Sequence, residues 1–337
     1  MRALLVALLL AGCNTPRDPV VGWIDQHLIP LGAADDLAPL GSLLGGRAVV
    51  AMGETTHGTK EFFELKGRVF RWLVEHDSFQ TLAMEMEPGP AAAVDAYLQT
   101  GQGDLDALVR GTYFFFEARE IVALLAWMRH HNETAATKVH LVGIDLTDAQ
   151  KATVATKCGE RAGCKVVMRD GLMADNVLAR GAGTFVWAHN GHVAHFAAQD
   201  GWKPMGQLLR EALGERYYAI AFEFDEGGFV APAGGALPVL RTRTLPRRVV
   251  AEYVLQPAPP DALAHVFAQA RRDVYFVELT ALTPPVAALF ADNRNLQSYG
   301  ALDPPAARRY ESYAPLDACF DAVVFVRRTH GYTWPAD

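Results

Sequence analysis

Two histidine-bearing turns offer most of the chemistry in this sequence. The first is Gly53-Glu54-Thr55-Thr56-His57-Gly58, set between an apolar run and an amphipathic segment. The second, far downstream, is His189-Asn190-Gly191-His192, which follows Phe185-Val186-Trp187-Ala188. A neutral imidazole can accept a proton from water, and a nearby carboxylate can orient the ring or hold that water. Glu54 stands where it could do this for His57. His57 also lies where the turn enters a helix, so the positive end of the helix dipole disfavours an imidazolium there.

Other charged positions stand in apolar surroundings. Glu85 closes the run Leu82-Ala83-Met84, where an ionised carboxylate is costly unless a partner or water meets it. Lys66 falls on the stripe of Phe62, Val69 and Leu73, and its expected partner is Glu54 or Glu85. Lys66 and Asn190 are candidate substrate-binding residues; His57, Glu54, Glu85, His189 and His192 are the catalytic candidates. The paired histidines raise a metal reading, but zinc signatures differ from both motifs and no carboxylate stands in ligand register, so neither metal nor cofactor is expected. No G-x-S-x-G elbow supports a serine hydrolase.

These turns need a scaffold that brings distant segments together. Apolar and β-branched runs over 46–52, 81–86, 138–144, 183–188, 217–224, 274–279 and 320–326 read as strands, and 59–76, 91–98 and 117–129 as helices. The alternation predicts an α/β fold with a mostly parallel central sheet, covered by helices on both faces and carrying helical and loop-rich insertions. Such sheets keep ligands at the carboxyl ends of their strands, where both turns would lie. Residues 13–337 are expected to form a single domain. Its stretch near 229–260, rich in glycine and proline, reads as a loop-rich insertion.

Half of the 337 residues are hydrophobic and the net charge is −7 without a basic stripe, which argues against nucleic acid as a partner. At the start, Arg2 precedes the apolar run Ala3 to Leu10 and then Leu10-Ala11-Gly12-Cys13. The run is shorter than the roughly 20 residues that span a bilayer. This segment resembles a bacterial lipoprotein signal, which implies a signal peptide over 1–12 and a lipid on the Cys13 thiol. Asn14 is not the aspartate associated with inner-membrane retention. The implied location is the cell envelope, anchored to the outer membrane and facing the periplasm. An exported chain permits a disulfide, and Cys158 and Cys164 could close a small ring around Gly159 to Gly163. Cys319 reads as a buried small apolar residue.

Taken together, Gly53 to Phe63, Ala83-Met84-Glu85 and Trp187 to Val193 resemble the erythromycin esterase family in order and spacing. Weaker echoes are Glu120, Gly143-Ile144-Asp145, Arg169-Asp170, Met205-Gly206 and Phe320 to Phe325. The resemblance implies that His57 is the essential base activating water without a metal, and that Glu54, Glu85, His189 and His192 line the same cleft. It implies a small-molecule ester or lactone substrate and a link to antibiotic response. Lys66, however, stands where macrolide-hydrolysing members carry arginine, whose two-pronged recognition lysine cannot reproduce. The expected reaction is attack on a carbonyl by water deprotonated by His57. Glu54 orients base or water, Glu85 and Lys66 fix polarity, and His189 or His192 steadies the oxyanion. Two other classes stay open: a metal-dependent hydrolase on the same histidines, and a non-catalytic lipid-anchored envelope binding protein.

Overall fold

The structure, a computed structural model, describes residues 18–334 apart from 111, 114, 197–201, 236, 246–247, 293–295, 301–308 and 314. The proposed signal segment and Cys13 lie outside the described residues. Twelve strands are present among them: β1 (Ile29–Pro30), β2 (Val49–Met52), β3 (Thr81–Met84), β4 (His140–Gly143), β5 (Thr184–Trp187), β6 (Tyr217–Pro232), β7 (Val239–Leu245), β8 (Arg248–Leu255), β9 (Val274–Glu278), β10 (Leu296–Gln297), β11 (Tyr310–Glu311) and β12 (Ala322–Thr329). The main sheet runs β1-β9-β12-β6-β2-β5-β3-β4. From β12 to β4 every neighbouring pair is parallel, while β9 runs antiparallel to β12 and β1 antiparallel to β9.

Every residue of β2, β3 and β5 is buried, as expected of parallel strands covered on both faces. Side chains alternate between two cores. Val50, Met52, Leu82, Phe185 and Trp187 pack with Phe62 and Phe70 of helix Lys60–His76 on one face. Val49, Ala51, Ala83 and Val186 pack with Met173 and Val177 of helix Ala162–Leu178 on the other. Helix Lys60–His76 forms because Phe62, Phe63, Val69, Phe70 and Leu73 recur on one face, and Lys66 falls on that buried face too.

The stretch near 229–260 is a correction. Much of it is an antiparallel ribbon rather than loop: β6 continues through Pro232 and pairs with β8, which pairs with β7. The Gly227-Gly228 pair just before this stretch marks a close approach of two backbones. Gly227 has φ +113°, and a Cβ there would lie 2.2 Å from the carbonyl oxygen of Thr329 on β12. The prolines delimit strands, with Pro232 ending β6 and Pro238 just before β7.

Cys158 and Cys164 are bonded, with Cα atoms 5.5 Å apart. The bond ties helix Asp148–Cys158 to helix Ala162–Leu178. Cys319 is buried and free. No helix among the described residues is long and apolar enough to cross a membrane.

The ribbon touches the first histidine turn. Gly58 O accepts a hydrogen bond from Val230 N at 2.9 Å, and a Cβ on Gly58 would stand 1.8 Å from Val230 O. Gly58→Ala should therefore force the turn and ribbon apart and cost about 1–3 kcal/mol or more of unfolding free energy. Equilibrium urea unfolding checks this, and an unshifted midpoint would contradict the contact.

Candidate active site

Strand order delivers the chemistry. β2, β5 and β3 are adjacent and parallel, with Met52 beside Trp187 and Trp187 beside Met84. The chain leaves these strands on the same side, so His57, His189 and Glu85 emerge together. With His192, Arg169, Ser298 and Glu311 they line a cavity of about 690 Å³.

Glu54 is buried beneath His57. One carboxylate oxygen accepts the Nδ1–H of His57; the other accepts Lys66 Nζ at 2.5 Å and the Trp187 indole N–H at 2.9 Å. Burial alone would raise the Glu54 pKa, but Lys66 and His57 outweigh it and hold the carboxyl below its usual value. Burial pushes Lys66 down to about 8, against the pull of Glu54. The ammonium also lies over the Trp187 ring, 4.7 Å from its centroid. The helix after His57 begins at Lys60, so the ring's nearest electrostatic partner is Glu54 rather than the helix terminus. With its proton on Nδ1, His57 presents a bare Nε2.

His189 has the opposite tautomer. Its Nδ1 accepts the Gly191 N–H at 3.2 Å, so the neutral ring carries its proton on Nε2. Burial holds its pKa down to about 4 despite Glu311. The two rings lie 5.7 Å apart, edge to face. Gly300, at φ +54°, leaves space between them: a Cβ there would be 3.9 Å from each Nε2.

A second charged network flanks this pair. Glu85 accepts Arg169 Nη2 at 2.8 Å and the His189 backbone N–H at 3.0 Å. Arg169 also makes a two-pronged contact with Asp145, at 2.9 Å for each bond. His192 places Nδ1 2.6 Å from Asp170 and Nε2 3.3 Å from Glu85. Burial would lower the His192 pKa, but Glu85 and Asp170 prevail and raise it to about 10. An Arg169 nitrogen 3.0 Å from the same Nε2 opposes that charge; two carboxylates against one guanidinium decide the direction. Burial likewise opposes ionisation of Glu85, yet His192, Arg169 and His57 bring its pKa well below the ordinary value.

Two candidates stand outside the cavity lining. Lys66 is fully buried behind Glu54 and is not among the residues that line the cavity. Asn190 is also fully buried: its Nδ2 donates to Phe222 O at 2.9 Å and its Oδ1 accepts Phe222 N at 3.1 Å. It clamps the second turn to β6. A place on an apolar stripe marked Lys66 and a place in the second turn marked Asn190, but side-chain direction decides what each touches.

Several lining residues escaped the sequence reading as site residues: Arg169, Tyr113, Trp202, Ser298, Gly300 and Glu311. Asp170 carried a usable signal, since it shares the buried stripe of Met173, Ala174 and Val177. Ser298 and Glu311 carried none, because they sit at the short pair β10–β11, which has no periodic pattern.

A sequence model of the erythromycin esterase family matches residues 74–157 and 150–329. The chain belongs to that family. It is similar to the erythromycin esterase type II of Escherichia coli, with 33% identity over 130 residues, 37% of this chain and 31% of that one. The match thus spans under a third of that relative's length. The fold is shared with a Bacillus cereus protein, with TM-score 0.79 and 18% identity over 94% of this chain and 99% of that one. It is also shared with the erythromycin esterase EreC, a mutant in an open conformation, with TM-score 0.61 and 16% identity over 88% of this chain and 94% of that one.

The His192 network has a pH signature. A histidine whose pKa rises on folding adds stability that is fully present below its unfolded value near 6.5 and disappears as pH climbs through about 10. The gap in melting temperature between this protein and its His192→Gln variant should therefore narrow from pH 6.5 to pH 10. A constant gap would mean that the folded ring is uncharged.

Proposed function

We propose that this protein is a hydrolase that cleaves a carboxylic ester or lactone with a water deprotonated by His57. One observation carries the reading: the two imidazoles face the same space in complementary states, His57 with a bare Nε2 and His189 with a protonated one. A base needs the first and a developing oxyanion needs the second.

In this reaction His57 Nε2 takes a proton from water as the oxygen adds to the carbonyl carbon. The oxyanion accepts a hydrogen bond from His189 Nε2–H. Collapse expels the alkoxide, which recovers the proton from His57, and no acyl-enzyme forms. Glu54 stabilises the transient imidazolium, and Lys66 keeps Glu54 ionised. Glu85 holds Arg169 and the His189 backbone, and His192 braces the same carboxylate. Membership of the erythromycin esterase family supports hydrolysis of a small molecule. A link to antibiotic response belongs to the same proposal, with the substrate left open to esters and lactones generally.

The chain is further proposed to work in the cell envelope, held by a lipid on Cys13. The Cys158–Cys164 bond supports an oxidising compartment. A labelled fatty acid should enter the protein in a lipoprotein-processing bacterium but not its Cys13→Ser variant; equal labelling would refute the anchor.

On a panel of esters and lactones, His57→Ala should lower kcat by about 10²–10⁴-fold while circular dichroism shows the fold retained. Retained turnover would remove His57 from the role of base. Chelator treatment is expected to leave the rate unchanged; loss of turnover restored by added metal would replace this mechanism with a metal-dependent one.

A further inference from the structure

Ser298 and Glu311 lie beside His189, although 109 residues separate His189 from Ser298 and 13 separate Ser298 from Glu311. Ser298 Oγ is 3.4 Å from His189 Nε2 and 3.2 Å from Glu311 Oε2, and that oxygen also accepts the Tyr313 hydroxyl at 2.7 Å. A serine beside a histidine suggests a nucleophile and its base, but the direction of the protons decides otherwise. Because Gly191 N–H occupies His189 Nδ1, the ring proton is on Nε2 and points at Ser298. The serine accepts from His189 and donates to Glu311, so the chain of hydrogen bonds runs one way, from imidazole to carboxylate.

Hydrogen bonds tie this segment to its surroundings. Ser298 N donates to Arg309 O at 2.9 Å, and the preceding Gln297 N donates to the buried Glu223 on β6 at 2.8 Å. Tyr299 N and Gly300 N both donate to Thr55 O in the His57 turn, at 2.7 and 3.1 Å. Gly191 leaves the room that Glu311 needs. A Cβ at 191 would stand 3.1 and 3.3 Å from the two carboxylate oxygens and 3.4 Å from His189 Nδ1.

We propose that Ser298 and Glu311 are positioning residues, which together with the Gly191 N–H fix the tautomer and the aim of His189 so that its Nε2–H meets the substrate's carbonyl oxygen. The proposal deepens the hydrolase reading and rests on it for its kinetic consequence. In the resting site Ser298 takes the hydrogen bond that the oxyanion takes during turnover. Glu311, held by Tyr313, keeps the serine hydroxyl turned so that its lone pair faces the ring.

The test uses protein with ¹⁵N-labelled histidine, in which NMR distinguishes protonated from bare ring nitrogens. His189 in the unaltered protein should be the Nε2–H form. Ser298→Ala and Glu311→Gln should both give a mixture of tautomers and lower kcat by up to about a hundredfold with KM little changed. Ser298→Thr, which keeps the hydroxyl, should restore both readouts. An Nδ1–H ring in the unaltered protein would overturn the proposal, and so would an unmoved tautomer in both variants. Mass-spectrometric detection of an acyl group on Ser298 would overturn it as well. If the unaltered protein turns over no ester or lactone, the hydrolase reading fails, and the NMR result still decides whether Ser298 and Glu311 set the ring.

Discussion

The buried carboxylate of Glu54 is the constraint around which the site is arranged. It meets three donors of different kinds: an imidazole, an ammonium and an indole. Each comes from a different element, and together they close a hydrogen-bonded shell that replaces the water lost on burial. Such a pair adds little net stability, because desolvating two charges consumes most of their attraction. What it supplies is direction. A carboxylate locked by Lys66 and Trp187 has one place left for His57, and that fixes which ring nitrogen is bare.

The same logic applies on the other side of the cavity with a different outcome. Glu85 is shared by Arg169, His192 and the backbone of His189, so its charge is spread over fixed donors. The cavity therefore contains charges of both signs, each held by neighbours rather than by solvent. A group that enters meets dipoles already oriented, which is the condition for electrostatic stabilisation without reorganisation.

Much of this arrangement was legible in the sequence because burial leaves a pattern. Apolar runs marked the parallel strands, and their exits marked the two turns. Lys66 announced itself by standing on an apolar stripe, and Glu54 was among its expected partners. The side-chain directions were hidden: Asn190 turns into the sheet, and Lys66 turns behind Glu54 rather than toward the cavity. The ribbon of β6, β7 and β8 was hidden for another reason. Its glycines and prolines, read as loop, mark a close backbone approach and strand ends, which composition cannot separate from a loop. Ser298 and Glu311 were out of reach because their placement depends on long-range pairing of β10 with β11.

Strand β6 has a mechanical consequence. Its first half is a central member of the parallel sheet, and its second half runs on into the ribbon against which Gly58 is pressed. A single unbroken length of backbone thus serves both as a beam of the scaffold and as the backstop of the His57 turn. The turn cannot swing outward without bending the beam, and its local opening is coupled to loss of the sheet itself. A segment that would otherwise fray like any surface connection is in this way given the stiffness of the molecule's interior.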